Sequence, residues 1–435
     1  MNSNAWANDA IWWHVYPLGF VGAPIREGWP GWYDLANQDY AATNRFAHLE
    51  RWLDHVVRLG ASGILLGPIF ASRTHGYDTL DYFRIDPRLG TEADFVRFVE
   101  ACHARGIRVM LDGVFNHVSR EHEFVRTALR EGRDSAAAGM LKIDFDNPSG
   151  PAPYLFEGHQ ALPELNHKSQ AVADYVFDVM DYWCSRGVDA WRLDAAYTTG
   201  PEFWTRVIPR LRAKHPGVWI HGELIHGDGA QFVKDSTLDS VTQYWLWKAI
   251  WSSLSDANFW ELDDALNSHN RFLESYRPLT FVGNHDVTRI GSKVGADKAV
   301  LALAILMLVG GIPAIYYGDE LGYRADKVQG GPPDDQLRTS FPDRPEDIWP
   351  GSWDTFHLYQ GLISLRRRNP WLGDARTEKV ELTNEHYALD VVGKGGERIR
   401  LDLDLRTKPH VTISGNGENW EWAAEGAPAK DVAKS

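Results

Sequence analysis

Three acidic residues close short apolar runs: Asp112 in IRVMLD, Asp194 in DAWRLD and Glu223 in VWIHGE. A further one, Asp286, ends the triplet Asn284-His285-Asp286 that follows the run LTFVG. Carboxylates that converge on one point repel one another, so such a set points to a task that uses the repulsion. Cleavage of a glycosidic bond is such a task. One carboxyl gives its proton to the leaving oxygen, and one ionised carboxylate receives the sugar cation. Retaining enzymes hold the two roughly 5 Å apart, so that the second attacks directly. Asp194 and Glu223 suit this pair if their runs are neighbouring strands. Repulsion would keep Glu223 protonated near neutral pH, while Arg192, two residues before Asp194 on the same strand face, supplies a cation to keep Asp194 ionised. Taken alone, each acid has an ordinary alternative as the N-cap of the helix after a strand. The set as a whole does not.

The elements that must position these residues are legible as eight apolar runs, each followed by a helix-like stretch. They are IWWHVYP (11–17), GILLG (63–67), IRVMLD (107–112), DAWRLD (189–194), VWIHGE (218–223), SVTQYWLW (240–247), LTFVGN (279–284) and PAIYYGDE (313–320). Continuous rather than alternating hydrophobicity suits parallel strands covered on both faces. Eight βα units predict an α/β fold of the (β/α)8 TIM-barrel type. Active sites of that fold lie at the C-terminal ends of the strands, where these acids stand. The third and fourth runs are too far apart for one connecting helix. The stretch from Ser119 to Lys168, with its Gly/Pro-rich DNPSGPAPY, is therefore an inserted domain. After Pro370, EKVELTNEHYALDVVG and ERIRLDLDLRTKPHVTISG alternate polar and apolar residues, as antiparallel strands do. The predicted organisation is barrel over 1–118, insertion over 119–168, barrel over 169–370 and a small C-terminal β-domain over 371–435, ending in a frayed tail.

Composition narrows the partners. The 435 residues are 44% apolar and 24% charged, a globular balance. Acidic residues outnumber basic ones 59 to 45, a net charge of −14, which argues against nucleic-acid and anionic-membrane partners. The 19 Trp fill cores in the main, and the remainder suit a groove for ligands with apolar C–H faces and polar rims. Cys102 and Cys184 form no disulfide framework and no metal-ligand spacing. The apolar run from Ala299 to Gly318 is punctuated by Gly310, Gly311 and Pro313, and reads as a buried helix followed by a buried strand rather than a membrane span. The N-terminus shows no signal peptide, so the expected location is the cytoplasm.

Four short motifs, DGVFNH (112–117), GVDAWRLDA (187–195), HGELIHG (221–227) and FVGNHD (281–286), resemble in kind and order those of the α-amylase family, glycoside hydrolase family 13. A weaker fifth, LPELN (162–166), lies in the insertion, which the resemblance implies is the family's domain B. Carried over residue by residue, it implies that Asp194 is the nucleophile and Glu223 the general acid/base. Asp286 would bridge hydroxyls of the reacting sugar and distort its ring. Arg192 would hold Asp194, and His117 and His285 would hydrogen-bond sugar hydroxyls, although an isolated His is more often structural. Tyr77 in HGYD matches an aromatic that stacks on the same sugar, with core packing as its alternative. Asp334 and Arg338 in PDDQLR match an Asp-x-x-x-Arg pair that closes that subsite, a pattern any surface ion pair shares. Asp112 and Asn116 would be structural, ordering the barrel mouth.

Departures from the family bear on substrate and metal. Tyr197 and Thr198 stand where many α-amylases have a Lys-His pair, so no structural calcium and no cofactor are predicted, although Asn116 remains. The first strand begins near residue 11, so the N-terminal β-domain of cyclomaltodextrinases and neopullulanases is not expected, yet LPELN is closest to the neopullulanase-like form. The resemblance implies hydrolysis of α-1,4-glucosidic bonds in small linear or cyclic α-glucans: maltooligosaccharides, cyclodextrins or cyclic maltosyl-maltose. A transglycosylase or a sugar isomerase, acting for example on trehalose or sucrose, shares the same catalytic motifs. A non-catalytic sugar-binding relative is disfavoured by the full set of carboxylates. An oligosaccharide is the expected partner, and a homodimer is left open.

Overall fold

The computed structural model describes residues 4–29, 31–35, 42–328 and 334–425. They fall into two compact units, Met1–Thr242 with Val328–Pro350, and Gln243–Lys327 with Gly351–Ser435.

The first unit is built on six parallel strands: β1 (Trp12–Val15), β2 (Gly63–Leu66), β3 (Arg108–Gly113), β4 (Ala190–Leu193), β5 (Trp219–Gly222) and β6 (Ser240–Val241). They pair in the order β6-β5-β4-β3-β2-β1. Every residue of β1, β2, β4 and β5 is buried, which explains why these runs are apolar throughout instead of alternating. Backbones pack closely where side chains are small: a Cβ on Gly63 would lie 2.4 Å from the Trp12 ring. Helices cover the strands. Glu92–Ala104 starts with Thr91 and Asp94 in a capping box, and Gln170–Cys184 follows β3 after the insertion. Cys102 and Cys184 are buried free thiols.

Register decides where the acids go. Ala190 lies opposite Trp219, Arg192 opposite His221 and Leu193 opposite Gly222. Asp194 and Glu223, one residue beyond, therefore leave adjacent strands at the same level, and the Glu223 N–H still donates to the Leu193 carbonyl at 2.9 Å. Neighbouring strands run about 4.8 Å apart. Asp112 lies opposite Arg192 on the other side.

Between β3 and its helix the chain makes the predicted excursion. It carries a helix, Glu123–Glu131, a pair of two-residue strands and two short helical turns, Ala138–Met140 and Phe156–Gly158. Bridges from His117 to Glu164 and from Leu141 to Leu165 fasten it.

In the second unit, β7 (Leu279–Phe281) and β8 (Ile312–Tyr316) pair in parallel, with Leu279 opposite Ile312. The long apolar run resolves as read, into helix Ala296–Leu308 and then β8. Arg366 ends that helix by donating to the carbonyls of Met307 (2.8 Å), Val309 (2.9 Å) and Gly311 (2.6 Å). The segment SVTQYWLW departs from expectation: only Ser240–Val241 is strand, and Tyr244–Asp256 is helix. Leu246, Ala249, Ile250 and Ser253 recur at helical spacing on its buried face, and Tyr244 and Trp247 pack on Phe281. The C-terminal strands β9 (Arg376–Leu382), β10 (His386–Val392), β11 (Arg398–Asp404), β12 (His410–Gly415) and β13 (Glu418–Ala423) form an antiparallel meander in sequence order. The segment read as a tail lies outside the described residues from position 426 onward.

Candidate active site

One guanidinium organises the carboxylates of the first unit. Arg192 Nη1 donates to Asp112 Oδ2 at 2.6 Å and to Asp194 Oδ1 at 3.1 Å, and Nη2 pairs with Glu223 Oε1 at 2.9 Å. Burial alone would pull this arginine down; Asp112, Glu223, Tyr77 and Asp194 push it well above its ordinary value, so it stays charged. The sequence assigned Arg192 to Asp194. The structure gives it Glu223 and Asp112 as well, which a planar group with five donors can serve together. Asp112, expected only to order the mouth, is thereby part of the charge cluster.

Backbone completes the arrangement. The N–H of Ala195 donates to Glu223 Oε2 at 3.0 Å. Ala195 sits in the left-handed region at φ 45°, an uncommon conformation for a residue with a Cβ and one that marks functional sites. Arg192 thus holds one oxygen of Glu223 and the Ala195 N–H the other.

Tyr77 lies in a turn locked by Asp78, which accepts from the Thr74 N–H at 3.0 Å and the Thr74 hydroxyl at 2.6 Å. The Tyr77 hydroxyl donates to Asp112 Oδ2 at 3.0 Å, and its ring lies under the Arg338 guanidinium, 5.7 Å from ring centre to Cζ. Arg338 also covers the Tyr16 ring at 4.7 Å and pairs loosely with Asp334 at 3.5 Å. Tyr16, which the sequence reading passed over as part of a strand end, donates its hydroxyl to the His75 carbonyl at 2.5 Å, and burial pushes its phenol up to about 12.

His117 is neutral. Its Nε2 meets the Tyr77 carbonyl at 3.0 Å and its Nδ1 the Asn116 amide at 3.2 Å, which fixes the Nε2–H tautomer. Burial lowers it to about 3, and the Phe156 ring stacks on it at 4.6 Å. Asn116 spends its oxygen on the Thr198 hydroxyl at 2.7 Å. Among the described residues no three His, Cys, Asp or Glu are grouped to hold a metal ion. His221, opposite Arg192 on β5, is buried, and among the described residues neither of its ring nitrogens has a hydrogen-bond partner; burial and the Arg192 charge lower it to about 3. No motif marked it.

Asp194, Glu223, Arg192, Tyr77, His117, Asp334 and Arg338 thus form one connected set in the first unit. Asp286 and His285 belong to the second unit. There His285 Nε2 lies 3.0 Å from Asp286 Oδ2, the Asp286 N–H donates to Asn284 Oδ1 at 2.9 Å, and Asn284 donates to the Tyr244 hydroxyl at 3.0 Å. The Asp286 side chain remains one-third exposed, at 33%.

Comparison with known proteins decides the family. The pattern of the α-amylase catalytic domain matches residues 48–141 and 144–348. The chain belongs to the α-amylase family. It is 32% identical over 336 residues to a cyclomaltodextrinase of Geobacillus thermopakistaniensis, covering 73% of this chain and 56% of that protein. With neopullulanase 2 of Thermoactinomyces vulgaris the identity is 30% over 383 residues, covering 83% and 63%. The chain thus spans between about half and two thirds of these relatives' length. The cyclic α-maltosyl-(1→6)-maltose hydrolase of Arthrobacter globiformis superposes at a TM-score of 0.81 and 24% identity with that cyclic sugar bound, over 98% of this chain and 100% of that one. With maltose bound the values are 0.79, 25%, 96% and 100%. The fold is the family's (β/α)8 barrel, with a segment inserted after the third strand and a C-terminal antiparallel sheet. Among the described residues no helix is long and apolar enough to cross a membrane.

Proposed function

We propose that this α-amylase family member is a retaining glycoside hydrolase that cleaves α-1,4-glucosidic bonds of small linear or cyclic α-glucans, among them maltooligosaccharides, cyclodextrins and cyclic maltosyl-maltose. The observation that carries this reading is the emergence of Asp194 and Glu223 from adjacent strands at one level, both paired with Arg192. Likeness to cyclomaltodextrinase and neopullulanase supports the substrate class.

In this mechanism Glu223, protonated, gives its proton to the glycosidic oxygen as the C1–O bond breaks. Asp194, held ionised by Arg192, attacks C1 and forms a glucosyl ester with inverted configuration. Glu223, now a carboxylate on Arg192 and the Ala195 N–H, takes a proton from water, whose oxygen attacks C1. The ester bond breaks, Asp194 recovers its electron pair, and the second inversion restores the α-anomer. Tyr77 offers its ring to the reacting sugar, with Asp334 and Arg338 closing the same subsite. His117 would bind one of its hydroxyls. The reading requires no cofactor.

The experiment is a substrate panel of maltotriose, soluble starch, β-cyclodextrin, cyclic maltosyl-maltose, isomaltose, sucrose and trehalose, with products followed by chromatography and new reducing ends counted. Short linear sugars released from the rings, with starch attacked slowly, support the reading. Rearranged products with no net gain of reducing ends would replace it with transfer or isomerisation.

A further inference from the structure

The groups assigned to the reacting sugar come from two distant parts of the chain. Tyr77 stands on the turn that Thr74 and Asp78 lock, while Asp334 and Arg338 cap the two ends of the short turn Asp335–Leu337. Two arginines outside the catalytic set join these turns through the segment that follows β1. Arg88 is buried and held by Asp86, with Nε 2.8 Å from Oδ1 and Nη2 2.6 Å from Oδ2. Its Nη1 donates to the Thr74 carbonyl at 2.6 Å and to the Pro24 carbonyl at 2.8 Å. Two residues beyond Pro24, Arg26 takes the Asp335 carboxylate in a fork. Its Nε lies 3.1 and 3.0 Å from Oδ1 and Oδ2, and its Nη2 lies 2.8 Å from Oδ1. A bonded path thus runs from the Tyr77 turn through Arg88, residues 24–26 and Asp335 to Asp334 and Arg338.

The parts of this path are stiff. Pro24 and Ile25 are buried. The Arg338 carbonyl meets the Gly19 backbone so closely that a Cβ there would lie 2.3 Å away, and the Phe341 N–H donates to the Phe20 carbonyl at 2.9 Å. A bidentate guanidinium–carboxylate pair fixes angle as well as distance, which an ammonium contact does not. Partly exposed ion pairs contribute little to stability, and the Arg26 and Asp335 side chains are 25% and 12% exposed. What this pair supplies is geometry. We propose that Arg26, acting through Asp335, is a positioning residue for the reacting sugar. It sets Asp334 and Arg338 in a fixed place against the Tyr77 ring. The inference rests on the hydrolase reading above, which gives Tyr77, Asp334 and Arg338 one subsite. Removing Arg88, buried on Asp86, would test folding; Arg26 and Asp335 at the partly exposed end test position.

The experiment compares the wild type, Arg26→Ala, Asp335→Ala and the double variant on maltotriose and on α-glucosyl fluoride. The fluoride brings only the reacting sugar, so a displaced subsite acts on both substrates alike. In each single variant kcat/KM should fall roughly tenfold on both, mostly through KM, below the ~100-fold that a misplacement of about 1 Å can cost. The double variant should lose no more than the worse single one, because both residues act through one pair. Misfolded protein lowers kcat through the active fraction and leaves KM unmoved. A fall in kcat alone, an unchanged KM in both single variants, a loss confined to maltotriose, or losses that multiply in the double variant would each overturn the positioning role. All four leave the hydrolase reading standing. A wild type that releases sugar from neither substrate overturns both.

Discussion

Arg192 and Glu223 form a 2.9 Å ion pair in which the two side chains are 4% and 7% exposed. The same guanidinium holds Asp112 and Asp194, so three buried acids share one cation. Replacing Arg192 with Ala strands three carboxylates away from water. Unfolding by denaturant should show a loss of about 3–5 kcal/mol, the usual consequence of removing one partner of a buried pair. Arg192→Lys should recover only part of it, because a single ammonium cannot reach three carboxylates in the plane a guanidinium spans. Stability equal to the wild type in both variants would remove Arg192 from its organising place.

The two acids at the strand ends should fail in different ways. Asp194→Asn removes the nucleophile and should lower kcat on the order of 10⁴-fold or more. Glu223→Gln removes the proton donor and should cost roughly 10²–10⁴-fold on an unactivated glucan. An α-glucosyl fluoride, whose leaving group needs no proton, should be spared much of the second loss in the first half-reaction. Steady-state and single-turnover kinetics on both substrates check this. Equal losses on both substrates would deny Glu223 the acid's part.

Tyr77 separates ring from hydroxyl. Tyr77→Phe keeps the stacking face and loses the 3.0 Å bond to Asp112. A hydrogen bond to a charged group contributes about 1.5–3 kcal/mol to stability, so a lower melting temperature with little change in kcat/KM is expected. Tyr77→Ala loses the sugar platform too, and kcat/KM should fall by a further 1–3 kcal/mol equivalent, about fivefold to a hundredfold or more. If Phe and Ala have the same kcat/KM, the ring does not touch sugar.

Acid should unfold this protein through its histidines. Burial lowers His117 and His221 to about 3, and His122, His167 and His269 to about 4, from an ordinary 6.5. Such groups are neutral when folded and take up protons on unfolding, so their contribution is present above pH 6.5 and is lost as pH falls toward 4 and 3. Unfolding free energy measured from pH 7 to pH 4 should fall with pH, with proton uptake on unfolding. His221→Leu should flatten the slope and raise stability at pH 5, since it removes an imidazole whose nitrogens have no partner among the described residues. An unchanged slope would contradict the buried neutral state of His221.

How much of this was legible in the sequence follows from what each residue depends on. Asp194 and Glu223 were readable because a buried parallel strand is a continuous apolar run, and the polar residue that ends it marks the mouth. The helix Ala296–Leu308 and β8 were readable from Gly310, Gly311 and Pro313, which no helix carries through. The strand read at SVTQYWLW was too long because Trp and Tyr suit strands and helices alike, and only packing of Tyr244 and Trp247 on Phe281 decides the matter. Tyr16, His221 and Arg26 were not singled out: each owes its place to partners distant in sequence. The shared use of Arg192 was hidden for a related reason, since a two-residue spacing shows Asp194 and says nothing of strands on either side.

The most direct test of the account is to trap the intermediate. A fluorinated α-glucosyl fluoride that forms the ester quickly and hydrolyses it slowly should add one fluoroglucosyl mass to the protein. Peptide mapping should place that mass on Asp194, and the first sugar released from an unmodified substrate should be the α-anomer by NMR. A label on another residue, or a β-anomer formed with no label at all, would contradict the claim that Asp194 is the nucleophile of a retaining enzyme.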